Sequence, residues 1–340
     1  MRKNYRHTII SLFLLLFAVN GFAQKELELL QASEKGDSAK VIELLTSGAN
    51  PNTAYNDGQT ALMLACRGNF TSIATALVEH GALINTRSEY NHSALLYSVG
   101  RGNLELTRYL VTKGADINTD GAQALIFAAN RSHFDVLKYL VEDVKVSVNA
   151  QTDEGNYSLI AAVVGGNIDI AKYLIMQGAN LNLKNDIKTP DYKNLSLYGT
   201  PLIHAVTSDK FNMVKYLLEA GANVNIKTNS GYSALMLSIM FNKFETAKYL
   251  VDHGADVNDQ DANGYSVLMQ AAIQVKFDLV KHLVEKGADV NLPNAKGKTI
   301  LDVLEVQANI QKQFEDTDVY KMTKVIMNYL EDRGAKHSAK

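Results

Sequence analysis

The sequence predicts an all-α protein made of about nine helix-turn-helix units, capping units included, which β-hairpin-like turns join into a stacked array. Gly–Ala pairs begin at residues 81 and 114 and again at 221, 254 and 287, each 33 residues after the previous member of its run. Apolar residues recur at helical spacing in segments such as 103–114 (NLELTRYLVTKG). One position is small in seven repeats, which allows neighbouring helices to approach closely. It holds Ala65, Ser98, Ala128, Ala162, Ala205, Ser238 and Ala271.

The first 23 residues are typical of a secretory signal peptide. Arg2, Lys3 and Arg6 precede an apolar run over 9–19, and small residues follow as far as Ala23. The run is shorter than the ~20 residues that a membrane-spanning helix needs, so cleavage after Ala23 is expected. An uncleaved inner-membrane anchor is the alternative. The mature protein is therefore expected to be periplasmic or secreted, and the sequence leaves the choice between the two open.

Each repeat shows the same order of elements. A Thr/Ser-x-Leu opening, as in 59–65 (QTALMLA), starts a short first helix, and a second helix such as 103–114 follows. Glycine ends the second helix because the residue after the last turn needs a positive φ, which glycine adopts at little cost. An extended turn then leads to the next opening. The resulting segments are 24–56 (N-terminal cap), 57–89, 90–120, 121–153, 154–197, 198–230, 231–263, 264–296 and 297–337 (C-terminal cap).

Three repeats depart from this pattern. The turn that precedes the fourth repeat (121–153), at 119–124 (TDGAQA), is short, and this repeat lacks the closing Gly–Ala pair, which predicts a local change in curvature or twist. The fifth repeat carries an insertion at 187–197, which is either a binding loop or a neutral one, since long loops cost little closure entropy. The C-terminal cap has extra residues at 306–321, which predict an extended helical hairpin.

These motifs resemble the ankyrin repeat family over nearly the whole chain after residue 23. The openings GQTALMLA, GTPLIHAV, GYSALMLS and GYSVLMQA and the endings GADIN, GANVN and GADVN recur in phase. The resemblance implies an ankyrin-repeat α-solenoid that binds partners on its concave face. Where the family usually has histidine, this chain has apolar residues, which replace a hydrogen bond by apolar packing. They are Met63, Leu96, Ile126, Ile160, Ile203, Met236 and Met269.

Charge and motifs argue against several other functions. The formal net charge is −2, and removal of residues 1–23 makes it more negative by three, so nucleic acid is not an expected partner. The stretch 296–299 (KGKT) lacks the first glycine of a phosphate-binding loop. The histidines show no metal-ligand spacing, and Cys66 lies among apolar and small residues, as a buried thiol does. No catalytic residue, metal or cofactor is therefore predicted.

The family resemblance implies that partners contact the turn residues before each opening and the residues that end each first helix. Tyrosine and arginine suit such a surface because each combines a large contact with a directional polar group. The apolar pair Met240–Phe241 is expected to matter most, at a position that should face solvent. The predicted partner-binding residues are Asn56, Glu89, Tyr90, Arg101, Arg131, Tyr192, Tyr198, Tyr232, Met240, Phe241 and Tyr265. The alternative for the tip tyrosines is packing on neighbouring turns.

The sequence thus predicts a non-catalytic protein-protein interaction module or adaptor of the bacterial envelope, or a secreted one, expected to be a monomer. A dedicated inhibitor or immunity protein for a toxin or enzyme is the alternative, and an enzyme with a cross-repeat active site is a further one. A second set of tyrosines recurs at one position of the second helices and predicts framework packing. It comprises Tyr109, Tyr139, Tyr173, Tyr216 and Tyr249.

Overall fold

A computed structural model describes residues 24–185, 199–313 and 317–338. The predicted signal peptide and the insertion at 187–197 lie outside these residues. The chain divides into two compact units, Met1–Ala150 and Gln151–Lys340, referred to as the N-terminal unit and the C-terminal unit. None of the described helices is both long enough and apolar enough to cross a membrane.

The described residues of the N-terminal unit form four helix pairs. Their helices are α1 (24–35), α2 (Ser38–Thr46), α3 (Ala61–Arg67), α4 (Thr71–Glu79), α5 (Ala94–Gly100), α6 (Leu104–Thr112), α7 (Ile117–Asn130) and α8 (Phe134–Glu142). The first helices α3, α5 and α7 pack in succession, and each packs on the second helix of its own pair. One antiparallel bridge, Ala54 to Thr60, closes the turn before α3.

The C-terminal unit continues the pattern with five pairs. Its helices are α9 (Ser158–Gly165), α10 (Ile168–Met176), α11 (Pro201–Thr207), α12 (Phe211–Glu219), α13 (Ala234–Met240), α14 (Phe244–Asp252), α15 (Val267–Ile273), α16 (Phe277–Glu285), α17 (Ile300–Gln313) and α18 (Thr317–Glu331). Bridges Gln151 to Tyr157 and Gln260 to Ser266 close two of its turns. The predicted all-α repeat fold is confirmed across the described residues, whose only β structure is isolated bridges.

The Thr/Ser openings of the repeats are helix N-caps. Thr60 Oγ1 accepts a hydrogen bond from Met63 N (3.2 Å), and Ser233 Oγ accepts one from Met236 N (3.1 Å). Ser93, Thr200 and Ser266 cap α5, α11 and α15 in the same way. These side chains satisfy backbone N–H groups that a helix N-terminus leaves without an internal partner. The openings therefore fix where each first helix begins.

The column of small residues lies in the core of each unit. Every member of the column is fully buried, including the two serines. Ser98 Oγ donates to Leu95 O (2.8 Å), and Ser238 Oγ donates to Leu235 O (2.6 Å), so burial leaves neither hydroxyl without a partner. The close approach of first helices that the sequence predicts depends on this column, because a larger side chain there would overpack the core.

Asparagines of the repeat endings join each turn to the next. Asn85 Nδ2 donates to Gly114 O (2.9 Å), and Asn85 Oδ1 accepts from Asp116 N (2.9 Å). Gly114 has a φ of 95°, which a side chain would strain, so the glycine and the asparagine of the motif serve one turn geometry. Asn291 makes the same two bonds at the C-terminal cap, to Gly334 O and from Lys336 N.

The fourth repeat differs from the sequence prediction. The segment 119–124, predicted as a short turn, is helical and belongs to α7, which starts at Ile117 directly after the repeat ending. The Asp116 side chain accepts hydrogen bonds from Asn118 N and Thr119 N. This N-cap allows a helix to form where the other repeats have the tip of an extended turn. At the end of the same repeat Lys145 has a φ of 67°, where other repeats have glycine. The sequence pattern identified the irregularity but not its form.

The tyrosines of the second helices have framework contacts. Tyr139 and Tyr173 are buried. The Arg108 guanidinium lies 4.1 Å from the Tyr139 ring centroid and also pairs with Asp143 (2.9 Å). Burial raises the pKa of Tyr139, so its hydroxyl stays neutral. Tyr139 thus joins the second helices α6 and α8, as framework packing predicts.

Candidate protein-binding surface

The turn tips of the N-terminal unit have a backbone held by internal hydrogen bonds. In the third repeat Ser88 N donates to His92 O (3.0 Å) and Asn91 N donates to Ser88 O (2.9 Å). Asn91 takes a φ of 58°, a conformation that asparagine tolerates better than most residues. Glu89 N donates to Asp57 O (2.9 Å), which joins this tip to the preceding one. The side chains at the tips are therefore presented on a defined backbone.

Three predicted residues are exposed at these tips. Tyr90 has 68% of its surface exposed, the highest value for an aromatic side chain in the described residues. Glu89 and Asn56 are also exposed. An exposed tyrosine on a fixed turn offers a large contact area at a small entropy cost, because the side chain has only two rotatable angles. This is the geometry that the sequence predicted for a contact residue.

A buried charge supports the same tip, and no sequence pattern indicated it. Arg87 Nη2 and Ser93 Oγ both donate to the carboxylate of Asp120, whose side chain is 3% exposed. Arg87 Nη1 also donates to Asn91 O (2.8 Å) and to Asn91 Oδ1 (3.0 Å). Asp120 can reach this position because 119–124 is helical. The fourth repeat thus replaces its own tip by a support for the tip of the third.

The predicted contact residues Arg101 and Arg131 also have framework roles. Arg101 Nε donates to Arg67 O, the last residue of α3, and Arg131 Nη1 donates to Gly100 O (2.7 Å), the last residue of α5. Each arginine thus places a positive charge on carbonyl groups that end the first helix of the preceding repeat, where the helix dipole favours a cation. Both arginines are exposed as well, so their contact with a partner stays a prediction.

The C-terminal unit has tips with half-buried tyrosines. Thr228 N donates to Tyr232 O (2.8 Å), and Asp261 N donates to Tyr265 O (3.0 Å). Both tyrosines are of intermediate exposure. Tyr265 lines a cavity of about 330 Å³ together with Val306 of α17, which is 61% exposed. Tyr192 and Tyr198 lie outside the described residues.

The apolar pair at the end of α13 is less exposed than the sequence predicted. Met240 is the last residue of α13 and Phe241 is its C-cap, and both side chains are half-buried. Helical spacing alone therefore does not place both side chains fully in solvent. These residues can border a contact surface, but Phe241 also contributes to the packing of its repeat.

The thiol of Cys66 and the imidazole of His204 are both buried. Burial raises the pKa of the Cys66 thiol, which is fully enclosed in α3. Burial lowers the pKa of His204 to about 4, and its Nε2 lies 2.7 Å from Asn185 Oδ1. Within the residues that the structure describes, no group of three or more His, Cys, Asp or Glu side chains could hold a metal ion. These side chains have roles in packing.

Family comparison agrees with this architecture. A family model described as ankyrin repeats (3 copies) matches residues 29–121, 117–185 and 187–261, and one described as ankyrin repeats (many copies) matches residues 250–304. Together they include most of the chain.

Individual relatives match about half of the chain. The putative ankyrin repeat protein YahD of Escherichia coli (strain K12) is 29% identical over 170 residues, which are 47% of this chain and 85% of YahD. The B-cell lymphoma 3 protein homolog of Mus musculus is 29% identical over 174 residues, 49% of this chain and 38% of that protein. Alpha-latrocrustotoxin-Lt1a of Latrodectus tredecimguttatus is 32% identical over 155 residues, 41% of this chain and 11% of the toxin. The chain therefore spans only a minor part of the last two.

Among solved structures, the chain is similar to one chain of the complex between the Bd0816 predatory endopeptidase from Bdellovibrio bacteriovorus and the immunity protein Bd3460. The identity is 31% and the TM-score is 0.47, and the match covers 60% of this chain and 97% of that one.

Proposed function

Because the chain belongs to the ankyrin repeat family, we propose that it is a non-catalytic module that binds another protein through its turn tips and the adjoining first helices. The observation that carries this proposal is Tyr90, an exposed aromatic residue on a turn whose backbone and supporting charge are both fixed. Aromatic side chains with this presentation dominate the binding energy of many interfaces. We propose no catalytic role for Cys66 or His204, because burial closes both side chains off from a substrate.

A capture experiment tests the binding surface. The full chain is immobilised as wild type, as the Tyr90→Ala, Tyr232→Ala variant and as the control variant Met176→Ala, and each is exposed to envelope extract. Met176 is 80% exposed at the end of a second helix, away from the tips. Loss of two interface tyrosines should weaken capture of a specific partner by roughly 30-fold or more, equivalent to about 2 kcal/mol. The control should retain capture.

Two results would contradict the proposal. Equal recovery of every captured protein by the wild type and the tyrosine variant would show that the tips are not the contact surface. A partner lost equally from the control would show that the effect is general. Phe241 is left unchanged in this test because it is the C-cap of α13 and not a turn-tip residue.

We further propose that the protein acts in the bacterial envelope or outside the cell, as a monomeric adaptor. The basic, apolar and small residues of 1–23 support secretion. Intact mass of the protein from fractionated cells tests this: a periplasmic or secreted form that begins at Gln24 is expected, and a cytoplasmic form with Met1 to Ala23 retained would contradict it. An inhibitor or immunity role would instead be indicated if the captured partner is a toxin or enzyme encoded by a neighbouring gene.

A further inference from the structure

The N-terminal unit contains a cavity at the edge of the proposed binding surface. It has a volume of about 560 Å³ and lies between α1 and the tip of the second repeat. Glu26, Leu27 and Leu30 line it from α1, and Tyr55, Asn56 and Asp57 line it from the tip. The volume exceeds that of any single side chain, so the cavity can receive one side chain together with part of its flanking backbone.

One part of the lining is apolar. Leu30 is buried and forms the floor, whereas Leu27 has 47% of its surface exposed. The Tyr55 hydroxyl donates to Glu34 Oε2 (3.3 Å), which holds the ring in place at the side of the cavity. An exposed leucine beside a fixed aromatic ring is a surface against which the aliphatic part of a ligand side chain can pack.

The charged part of the lining is wholly acidic. Glu26 Oε1 accepts from Asn50 N (3.3 Å), and Asp57 accepts from Gln59 N (3.1 Å) and from the Gln59 side-chain amide. Both donors are neutral. In the described part of the chain neither carboxylate forms a direct ion pair, whereas the nearby Glu34 pairs with Arg67 (2.7 Å). Among the residues that the structure describes, no lysine or arginine lines the cavity.

The acidic character extends to the next tip. Glu89 is exposed, and its backbone N–H bonds to Asp57 O (2.9 Å), so the two tips are directly joined. The hydrogen bond from the Gln59 side chain, and then that from its backbone, lower the pKa of Asp57. Asp57 therefore stays ionised through the physiological pH range. Asp57 and Glu89 thus place two carboxylates on adjoining tips of the N-terminal unit.

We propose that this cavity receives a cationic segment of the partner protein, with the aliphatic stem of a lysine or arginine against Leu27 and Tyr55 and its charged group facing Glu26 and Asp57. This inference rests on the proposed protein-binding function. An acidic segment would place like charges together, and a wholly apolar one would desolvate two carboxylates without giving them a partner. A side chain with an apolar stem and a positive head satisfies both parts of the lining.

Peptide binding tests the charge preference without knowledge of the partner. The purified full chain is titrated by fluorescence anisotropy with two labelled peptides, Gly-Leu-Arg-Lys-Leu-Gly and Gly-Leu-Glu-Asp-Leu-Gly. The basic peptide should bind about tenfold more tightly at low salt, and the preference should shrink as salt screens the carboxylates. The Glu26→Gln, Asp57→Asn variant should lose the preference. The Glu105→Gln, Asp135→Asn variant is the matched control, since both residues are exposed acids on second helices, and it should keep the preference.

Equal binding of the two peptides by the wild type would overturn the inference, and so would a basic preference that survives in the Glu26→Gln, Asp57→Asn variant. Far-UV circular dichroism of all variants separates loss of the site from loss of the fold. The two proposals fail in different ways. A natural partner that depends on Tyr90 but is captured normally by the Glu26→Gln, Asp57→Asn variant would refute the cationic segment alone, whereas a partner insensitive to Tyr90 and Tyr232 would refute the proposed surface.

Discussion

Replacement of Asp120 by asparagine is expected to destabilise the N-terminal unit and to loosen the tip that carries Tyr90. The carboxylate is 3% exposed and accepts from both Arg87 and Ser93. Loss of one partner from a fully buried ion pair costs about 3–5 kcal/mol. The Arg87 side chain is 27% exposed, so water can solvate part of its charge and reduces this cost. We therefore expect a loss of about 2–4 kcal/mol in the free energy of unfolding.

Urea denaturation followed by far-UV circular dichroism measures this loss, and hydrogen exchange locates it. Protection should fall at the amides of Ser88 and Asn91, because Arg87 would no longer be held against Asn91 O. A double-mutant cycle with Arg87→Gln should give a coupling energy of about 1–3 kcal/mol. A loss below about 0.5 kcal/mol, the value typical of an exposed ion pair, would refute the reasoning. Unchanged exchange at the tip would refute the supporting role of Asp120.

Three further predictions concern stability. Val275 has a φ of 59°, which is unfavourable for a β-branched residue, so Val275→Asn should raise the free energy of unfolding by about 1 kcal/mol in urea melts; a loss would contradict this. Burial lowers the pKa of His204 to about 4, so between pH 6.5 and pH 4 the unfolded chain binds a proton that the folded chain does not. The free energy of unfolding should therefore fall by about 3 kcal/mol as the pH drops from 6.5 to 4. The His204→Gln variant should lose this dependence, and a variant whose stability falls with pH in parallel with the wild type would contradict the role of His204. Arg131→Ala should cost about 1 kcal/mol through loss of the bond to Gly100 O, measured as a lower urea midpoint, and no change would assign Arg131 to contact alone.

The candidate site was predictable where side chains lie on a turn whose form the repeat fixes. Tyr90 and Glu89 are exposed as the pattern indicated. Arg101 and Arg131 are of the residue type that interfaces favour. Their guanidinium groups, however, donate hydrogen bonds to the preceding repeat, to carbonyl groups about 30 residues earlier in the sequence. Sequence spacing does not show whether a long flexible side chain contacts the preceding repeat or points toward a partner.

The sequence alone determined the helical repeat fold, because local signals repeat in phase: N-cap hydroxyls, small residues in one column and glycines where φ must be positive. It also indicated which repeats are irregular. Only the tertiary structure decided what the irregularities do, namely that Asp120 lies on a helix and supports the neighbouring tip, and that Glu26 and Asp57 border one cavity. Those arrangements depend on side chains from different repeats meeting in space, and no local propensity encodes the distance between them.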